Sequence, residues 1–364
     1  SFASVFTHSA MTKIGQNIKY DMAVLMRYGI NLEGPLFDTM LAHYIIQPDM
    51  RHNLDTLAET YLRYTPITFE SLVGPKGKNQ LTVRDIPQEK VAEYCNEDAD
   101  VTLQLKTQLK PLLIESKTLD VFEKIEMPLV SVLCRMEYEG VSVDSHFLTM
   151  YGQELEKDAL ALEKQIHKLA GEPFNIASPK QLGEILFDKL KIDPKAKKTK
   201  TGQYATGEDI LSKLSEHEIV QDILEYREIA KLKSTYIDAL PLLVNPTTGR
   251  IHTSFMQAVT VTGRLSSQNP NLQNIPIRTE RGRKIRQAFV PRSKDFKLLS
   301  ADYSQIELRL MAEMSEDAFM IDAFKQNKDI HTATAAKVYN IPENEVTKEM
   351  RGKAKSVNFG IIYG

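Results

Sequence analysis

The sequence predicts a helix-rich α+β protein of more than one domain. The chain has 364 residues, which at ~150 residues per domain gives two or three. Apolar residues recur at helical spacing through 1–115, 117–244 and 304–364. Strand-like patterns are confined to 249–310, at Ile251–Val261 and Phe296–Ala301. A composition of 42% hydrophobic and 26% charged residues belongs to a folded globular chain and excludes a disordered one.

The first third reads as helices joined by short turns. In Asn17–Tyr28, Ile18, Met22, Leu25 and Met26 share one face, and Gly29 follows as the residue that ends the helix. Leu36–Gln47 and Leu54–Tyr64 repeat the amphipathic pattern, and Gly74-Pro75-Lys76-Gly77-Lys78 is a loop. Glu89–Leu109 is a long helix that Pro111 closes. Phe147–Ala170 is long, charged and periodic, with Gly171 at its end. Ser178-Pro179-Lys180-Gln181 combines a capping Ser, a Pro in the first turn and a Gln at the third position, a helix start. Pro194–Gly207, with Lys195, Lys197, Lys198 and Lys200, is a solvated loop or an arm that meets a polyanion.

Charge and cysteine usage remove several classes of function. Lys and Arg number 46 and Asp and Glu 48, a net charge of −2, so a uniformly basic nucleic-acid coat is excluded and any basic surface is local. One such stretch exists: Arg278–Lys297 carries eight basic side chains against Glu280 and Asp295. Cys95 and Cys134 are too few for a disulfide framework or a structural zinc site, and point to a reduced, intracellular compartment. No apolar run reaches the ~18 residues of a membrane span. The start, Ser1-Phe2-Ala3-Ser4, has no signal core, and Ile361-Ile362-Tyr363-Gly364 stops inside an apolar pattern, so both ends read as cut.

Four constellations carry chemistry. In Asp302-Tyr303-Ser304-Gln305-Ile306-Glu307, a strand before Asp302 and a helix after Gln305 set a carboxylate at a strand end, where it can hold a hard cation such as Mg²⁺ or serve only as a turn acid. Ser304-x-x-Glu307 also spells a capping box, which would make Glu307 a cap. In the second, Arg351, Lys355, Phe359 and Tyr363 share one helix face, so two cations and two aromatics can grip a phosphate chain and stack on its base, or pack as snorkelling cations over an aromatic contact. The third, Thr260-Val261-Thr262-Gly263-Arg264-Leu265-Ser266-Ser267 with Pro270-Asn271-Leu272-Gln273-Asn274-Ile275-Pro276, is a rigid, donor-rich loop running into the basic stretch. Arg264, Gln273, Asn274 and Arg278 can meet phosphates or groove acceptors there, or only satisfy neighbouring backbone. In the fourth, Tyr94 and Asp98 are helical neighbours, and Asp21 of Asn17-Ile18-Lys19-Tyr20-Asp21 can join Asp98 around a divalent ion, unless these are surface acids.

Taken together and in order, these motifs resemble the family A DNA polymerases of the bacterial DNA polymerase I type. Arg264 lies in a T-G-R-L-S-S element, Asp302–Glu307 looks like polymerase motif A, and Arg351–Gly364 looks like motif B, with Asp329-Ile330-His331 between them. The N-terminal pair resembles the second and third motifs of the 3′→5′ proofreading exonuclease. The resemblance implies a partial RNase-H-like exonuclease domain at 1–116, a palm-connecting helix at 117–142, a thumb at 143–248, a partial palm at 249–310 and the start of the fingers at 311–364. It implies DNA synthesis in replication and repair from primer–template DNA and deoxynucleoside triphosphates, by a monomeric enzyme of the bacterial cytoplasm, associated with the nucleoid.

By the same resemblance two Mg²⁺ ions act at each centre, with Asp302, Asp21 and Asp98 as metal ligands and Tyr94 orienting the water. His331, Arg351, Lys355, Phe359 and Tyr363 meet the incoming nucleotide. Glu307 crowds the sugar 2′ position, which disfavours a single-subunit RNA polymerase. Lys231, Lys233, Arg264, Gln273, Asn274 and Arg278 hold DNA. Two family features have no counterpart: the first exonuclease motif, an Asp-x-Glu, and the second palm Asp of a His-Asp-Glu motif. Each metal centre is therefore expected to be partial and the 364-residue chain inactive by itself. The alternative is a non-catalytic DNA-binding protein.

Overall fold

A computed structural model describes residues 2–200 and 202–363, with the side chains of 319 and 361–363 left aside. Contacts divide the chain into two units, residues 1–296 and 297–364.

In the first unit, Lys13–Gly15 (β1) and Leu36–Asp38 (β2) pair in parallel, with Ile14 opposite Phe37. The helix between them is Ile18–Arg27 (α1). Asp38 closes β2 and caps the next helix, Thr39–Ile46 (α2), accepting from the N–H groups of Met40 and Leu41 at 2.9 and 3.2 Å. The same carboxylate accepts from Asn17 and Ile18 at the start of α1. One buried carboxylate thus meets the orphan donors of two helices. Burial drives its pKa up to about 6, against the pull of those four N–H groups. As its glycine predicts, α1 ends at Gly29 (φ 72°): the Ile30 and Gly29 N–H groups bond the Leu25 and Met26 carbonyls.

Leu36–Gln47 is therefore not one helix. Its first three residues extend because β1 offers them a ladder. Nor does Pro111 close its helix: Gln88–Glu115 (α3) runs through it. Pro111 and Thr107, whose carbonyl it leaves unbonded, lie on the exposed face, where water can take over. Leu105, Leu109 and Leu113 of α3 join Leu41, Leu57, Phe122 and Cys134 in a continuous core, the last from Met127–Glu139 (α4).

Ser145–Ala170 (α5), capped by Asp144 and ended by Gly171 at φ 75°, packs along Glu218–Leu232 (α6). Two apolar clusters flank the pair. Leu148, Tyr151 and Leu155 meet Ile229, Tyr236 and Ile285, while Ile166, Leu182 and Leu186 meet Leu211, Val220 and Ile223. Ser178 caps its helix as read, accepting from Gln181.

The strands expected at 251–261 shrink to Ser254–Met256 (β3), paired antiparallel with Ser266–Gln268 (β4). The Thr253 hydroxyl contacts the Ser267 hydroxyl and the Pro270 carbonyl beside this hairpin. Phe296–Ala301 forms no strand: no described strand lies beside it, so its backbone stays hydrated and Leu299 is 93% exposed.

In the second unit, Ile306–Ser315 (α7) and Ala318–Lys325 (α8) pack through Leu308, Ala312, Ala323 and Phe324. Ile330–Tyr339 (α9) then packs along Lys348–Tyr363 (α10). No helix among the described residues is long and apolar enough to cross a membrane.

Candidate functional site

The helix pair α9–α10 gathers one set of functional groups. Asp329 caps α9, accepting from Thr332 N–H at 2.8 Å, and its second oxygen accepts from Arg351 Nη2 at 2.7 Å and Nε at 3.3 Å. Burial pushes this carboxyl upward, but Arg351 and Thr332 outweigh it and hold its pKa below the usual range. His331, 2% exposed, has Nδ1 3.0 Å from Asn358 Nδ2, which also reaches the Thr334 hydroxyl at 3.2 Å. Burial, with the charges of Arg351 and Lys355, lowers the His331 pKa against the pull of Asp329. The imidazole is then neutral at neutral pH, with Nδ1 accepting from the amide and Nε2 carrying the proton. Phe359 tilts against His331 at 5.7 Å between centroids, and Lys355 Nζ lies 5.7 Å from the Phe359 ring.

Residues 351, 355, 358 and 359 meet α9 because a helix returns to one face every three to four residues. Arg351, Lys355, Phe359 and His331 come together as the expected group; the Tyr363 side chain lies outside the described residues. Asp329 and Asn358 stand in the same two motifs, and residue type alone does not single them out. Their signal was spacing alone: Asp two before His331, Asn one before Phe359.

Asp302 is exposed on irregular backbone, and α7 starts only at Ile306. Gln305 precedes it in left-handed conformation (φ 52°), and its side-chain oxygen accepts the first N–H of α9, at Ile330, at 3.0 Å. The Ser304–Glu307 capping box is not formed, because the turn at Gln305 puts Ser304 one residue too early.

The first unit presents the donor-rich loop. Arg264, Gln273, Asn274 and Arg278 are exposed, as is Lys231 on α6. The loop backbone is anchored: Tyr236 donates to the Asn274 carbonyl at 2.6 Å, and Asn271 Oδ1 accepts from Gln273 N–H at 2.9 Å. The basic stretch is far less basic than its sequence. Arg281 pairs with Glu225 and Asp158, Lys284 with Glu154 beneath the Tyr151 ring, and Arg292 with Glu139. Lys233 is likewise held by Asp238, at 3.0 Å, and by Glu156. Among the described residues Lys231 and Arg278 have no ion pair, nor do Arg286, Lys294 and Lys297.

On α3 the Tyr94 phenol and the Asp98 carboxylate act on each other electrostatically, as neighbours at helical spacing. Burial raises the Asp98 pKa, Glu97 and Asp55 add to the rise, and the Tyr94 hydroxyl opposes it. Burial and Asp98 push the Tyr94 pKa up in turn, so the phenol keeps its proton. Asp55 is the neighbour that sequence spacing did not reveal. Asp21 lies in the first turn of α1, and the protein around it raises its pKa.

No group of three or more His, Cys, Asp or Glu side chains able to hold a metal converges among the described residues. The donors present are hard carboxylate oxygens, and Asp302 is open to solvent. That suits Mg²⁺, which binds through one or two carboxylates completed by substrate phosphates and water.

Comparison with known proteins places the chain among relatives. Residues 145–364 match DNA polymerase family A, and residues 1–114 match a 3′-5′ exonuclease family. DNA polymerase I of Pseudomonas aeruginosa is 50% identical over 358 residues, covering 97% of this chain and 39% of that protein. DNA polymerase I of Bacillus subtilis is 48% identical over 348 residues, covering 95% and 39%. The chain therefore spans about two-fifths of the length of these relatives. The POL domain of Pol1 from M. smegmatis, solved in complex with DNA primer-template and dNTP, superposes with a TM-score of 0.86 at 36% identity, over 100% of this chain and 60% of that one. With the match running over well more than half of its residues, the chain belongs to DNA polymerase family A.

Proposed function

We propose that the gene product carrying this chain performs template-directed DNA synthesis with an associated 3′→5′ exonuclease. The observation that carries the reading is the convergence of His331, Arg351, Lys355 and Phe359 on one helix pair, fixed by Asp329 and Asn358. Arg351 gives two of its five N–H donors to Asp329 and keeps three for a triphosphate. Lys355 adds a mobile charge, His331 a neutral N–H donor, and Phe359 an aromatic face for the sugar and base. Tyr363 stands near the template base and Glu307 crowds the 2′ position.

Lys231, Arg264, Gln273, Asn274 and Arg278 hold primer–template, with Lys233 beside them. Donors aimed at minor-groove acceptors, which vary little with sequence, suit a copying enzyme. Asp302 presents the carboxylate that would hold Mg²⁺ with the substrate phosphates, and Asp21 and Asp98 would do so in the exonuclease. When bound, Mg²⁺ supplies Lewis-acid stabilisation of charge developing on the phosphoryl group. Tyr94 orients the water for hydrolysis. The domain roles follow: exonuclease over 1–116, connecting helix over 117–142, thumb over 143–248, palm over 249–310 and fingers from 311. The setting is replication and repair in the bacterial cytoplasm, on nucleoid DNA, by a monomer.

The test is Mg²⁺-dependent extension of a primer–template by the complete gene product. Arg351→Ala and Lys355→Ala should each raise KM for the deoxynucleoside triphosphate ~10-fold or more, as charge-assisted phosphate contacts of ~1.5–3 kcal/mol are lost. No extension by the wild type would leave the non-catalytic DNA-binding reading in its place.

A further inference from the structure

The turn from Thr260 to Arg264 is surface-exposed over 261–264 and belongs to no strand, yet three hydrogen bonds fix it. The Thr260 hydroxyl donates across the turn to the Arg264 carbonyl at 2.7 Å. Gly263, in left-handed conformation at φ 76°, donates its N–H to the Tyr44 hydroxyl at 3.1 Å. Tyr44 in turn donates that hydroxyl to the Thr260 carbonyl at 2.8 Å. Tyr44 belongs to α2, in the exonuclease-like region, 216 residues before Thr260.

The tyrosine itself has little freedom. It is 3% exposed, and its ring stands edge-on to His52 at 5.7 Å and 86°. His52 is buried and bonded through Nδ1 to Nδ1 of His43 at 2.7 Å. Burial and Glu126 hold the phenol pKa above its ordinary value despite the Gly263 N–H, so the hydroxyl keeps the proton that it donates. Further contacts tie the same hairpin to the same region. Lys19 of α1 donates to the Phe255 carbonyl, and Glu137 of α4 accepts from the Phe255 N–H at 2.6 Å. A short exposed turn holding a glycine has many conformations open to it; here one phenol bridges its two ends.

We infer that Tyr44 is a positioning residue for Arg264: from the exonuclease-like region it sets the turn that presents this guanidinium to primer–template. The inference rests on the reading of Arg264 as a DNA contact. It makes the N-terminal region a structural part of the polymerase's grip on DNA, separate from any hydrolysis there.

The experiment uses the complete gene product with Tyr44→Phe, Arg264→Ala and the double variant. Dissociation constants for a primer–template duplex are measured at fixed salt, with steady-state KM and kcat, and hydrogen exchange at the Gly263 amide. Tyr44→Phe keeps the ring packing and should fold. It should weaken DNA binding about three- to tenfold, with a rise in KM for DNA larger than any change in kcat, and should speed Gly263 exchange. In the Arg264→Ala background it should cost nothing further. Wild-type affinity in Tyr44→Phe beside a loss in Arg264→Ala would overturn the inference, as would losses that multiply in the double variant. If Arg264→Ala keeps full affinity, the DNA-contact reading fails by itself. Gly263 exchange then still decides whether Tyr44 holds the turn, unchanged protection removing that role.

Discussion

Asp98 lies half-buried on a 28-residue helix, one turn from Tyr94 and crowded by Glu97 and Asp55, whereas Asp302 stands exposed on irregular backbone. Both are assigned to a divalent cation. The first is prepared by the fold: its charge is disfavoured before any ligand arrives, so a cation there relieves an electrostatic cost. At the second the carboxylate is open to solvent, and on the proposed reading substrate phosphates and water would complete the shell. On the proposed reading, one carboxylate site is built into a helix face and the other is assembled with substrate.

The comparison can be broken most easily at Asp98. In the complete gene product, Asp98→Ala should cut 3′→5′ hydrolysis by ~10³-fold, the several kcal/mol that metal-centred charge stabilisation supplies, and leave extension intact. Asp98→Asn should raise the melting temperature at neutral pH, since it removes a charge that burial and two acids disfavour. An equal loss of both activities, or a lower melting temperature, would count against a prepared site. On the polymerase side, Glu307→Ala should raise ribonucleotide use relative to deoxynucleotide use at least ~10-fold, because removing the side chain that crowds the 2′ position opens it to a hydroxyl. An unchanged ratio would end its role in sugar choice.

A smaller effect separates free from neutralised cations. Lys231→Ala should weaken primer–template binding a few-fold and reduce the salt slope by ~1, while Lys233→Ala, already paired with Asp238, should do less. Equal effects would mean that DNA pulls Lys233 from its partner. The smallest effect is one of pH. Asp38 has its pKa pushed up to about 6, above its unfolded value of ~4, so the native state binds the extra proton in that interval. Its contribution to stability is complete below ~4 and is lost as pH rises through about 6. Asp38→Asn should flatten this part of a pH series of denaturation midpoints.

What the sequence disclosed follows from the range of each signal. Gly29, Gly171 and Ser178 end or start helices through bonds to their own neighbours, so local spacing was enough. The motif residues on α9 and α10 met because helical period fixes a face. The partners that define the sites come from far along the chain and leave no local trace: Glu154 sits 130 residues from Lys284 and Asp38 21 from Asn17. The excess charge of Arg278–Lys297 was overestimated for that reason. Pro111 misled because a helix on the surface can hydrate one freed carbonyl, and Phe296–Ala301 because a strand needs a neighbour as well as a pattern.

The central claim, that this chain belongs to a DNA polymerase whose chemistry turns on Asp302, is tested most directly by one assay. Single-nucleotide extension of a primer–template by the complete gene product is compared with that of its Asp302→Ala variant, in Mg²⁺, with DNA affinity measured in parallel. The account predicts extension lost by ~10³-fold or more with both deoxy- and ribonucleotides, at nearly unchanged DNA affinity. Extension at the wild-type rate by the variant would contradict it.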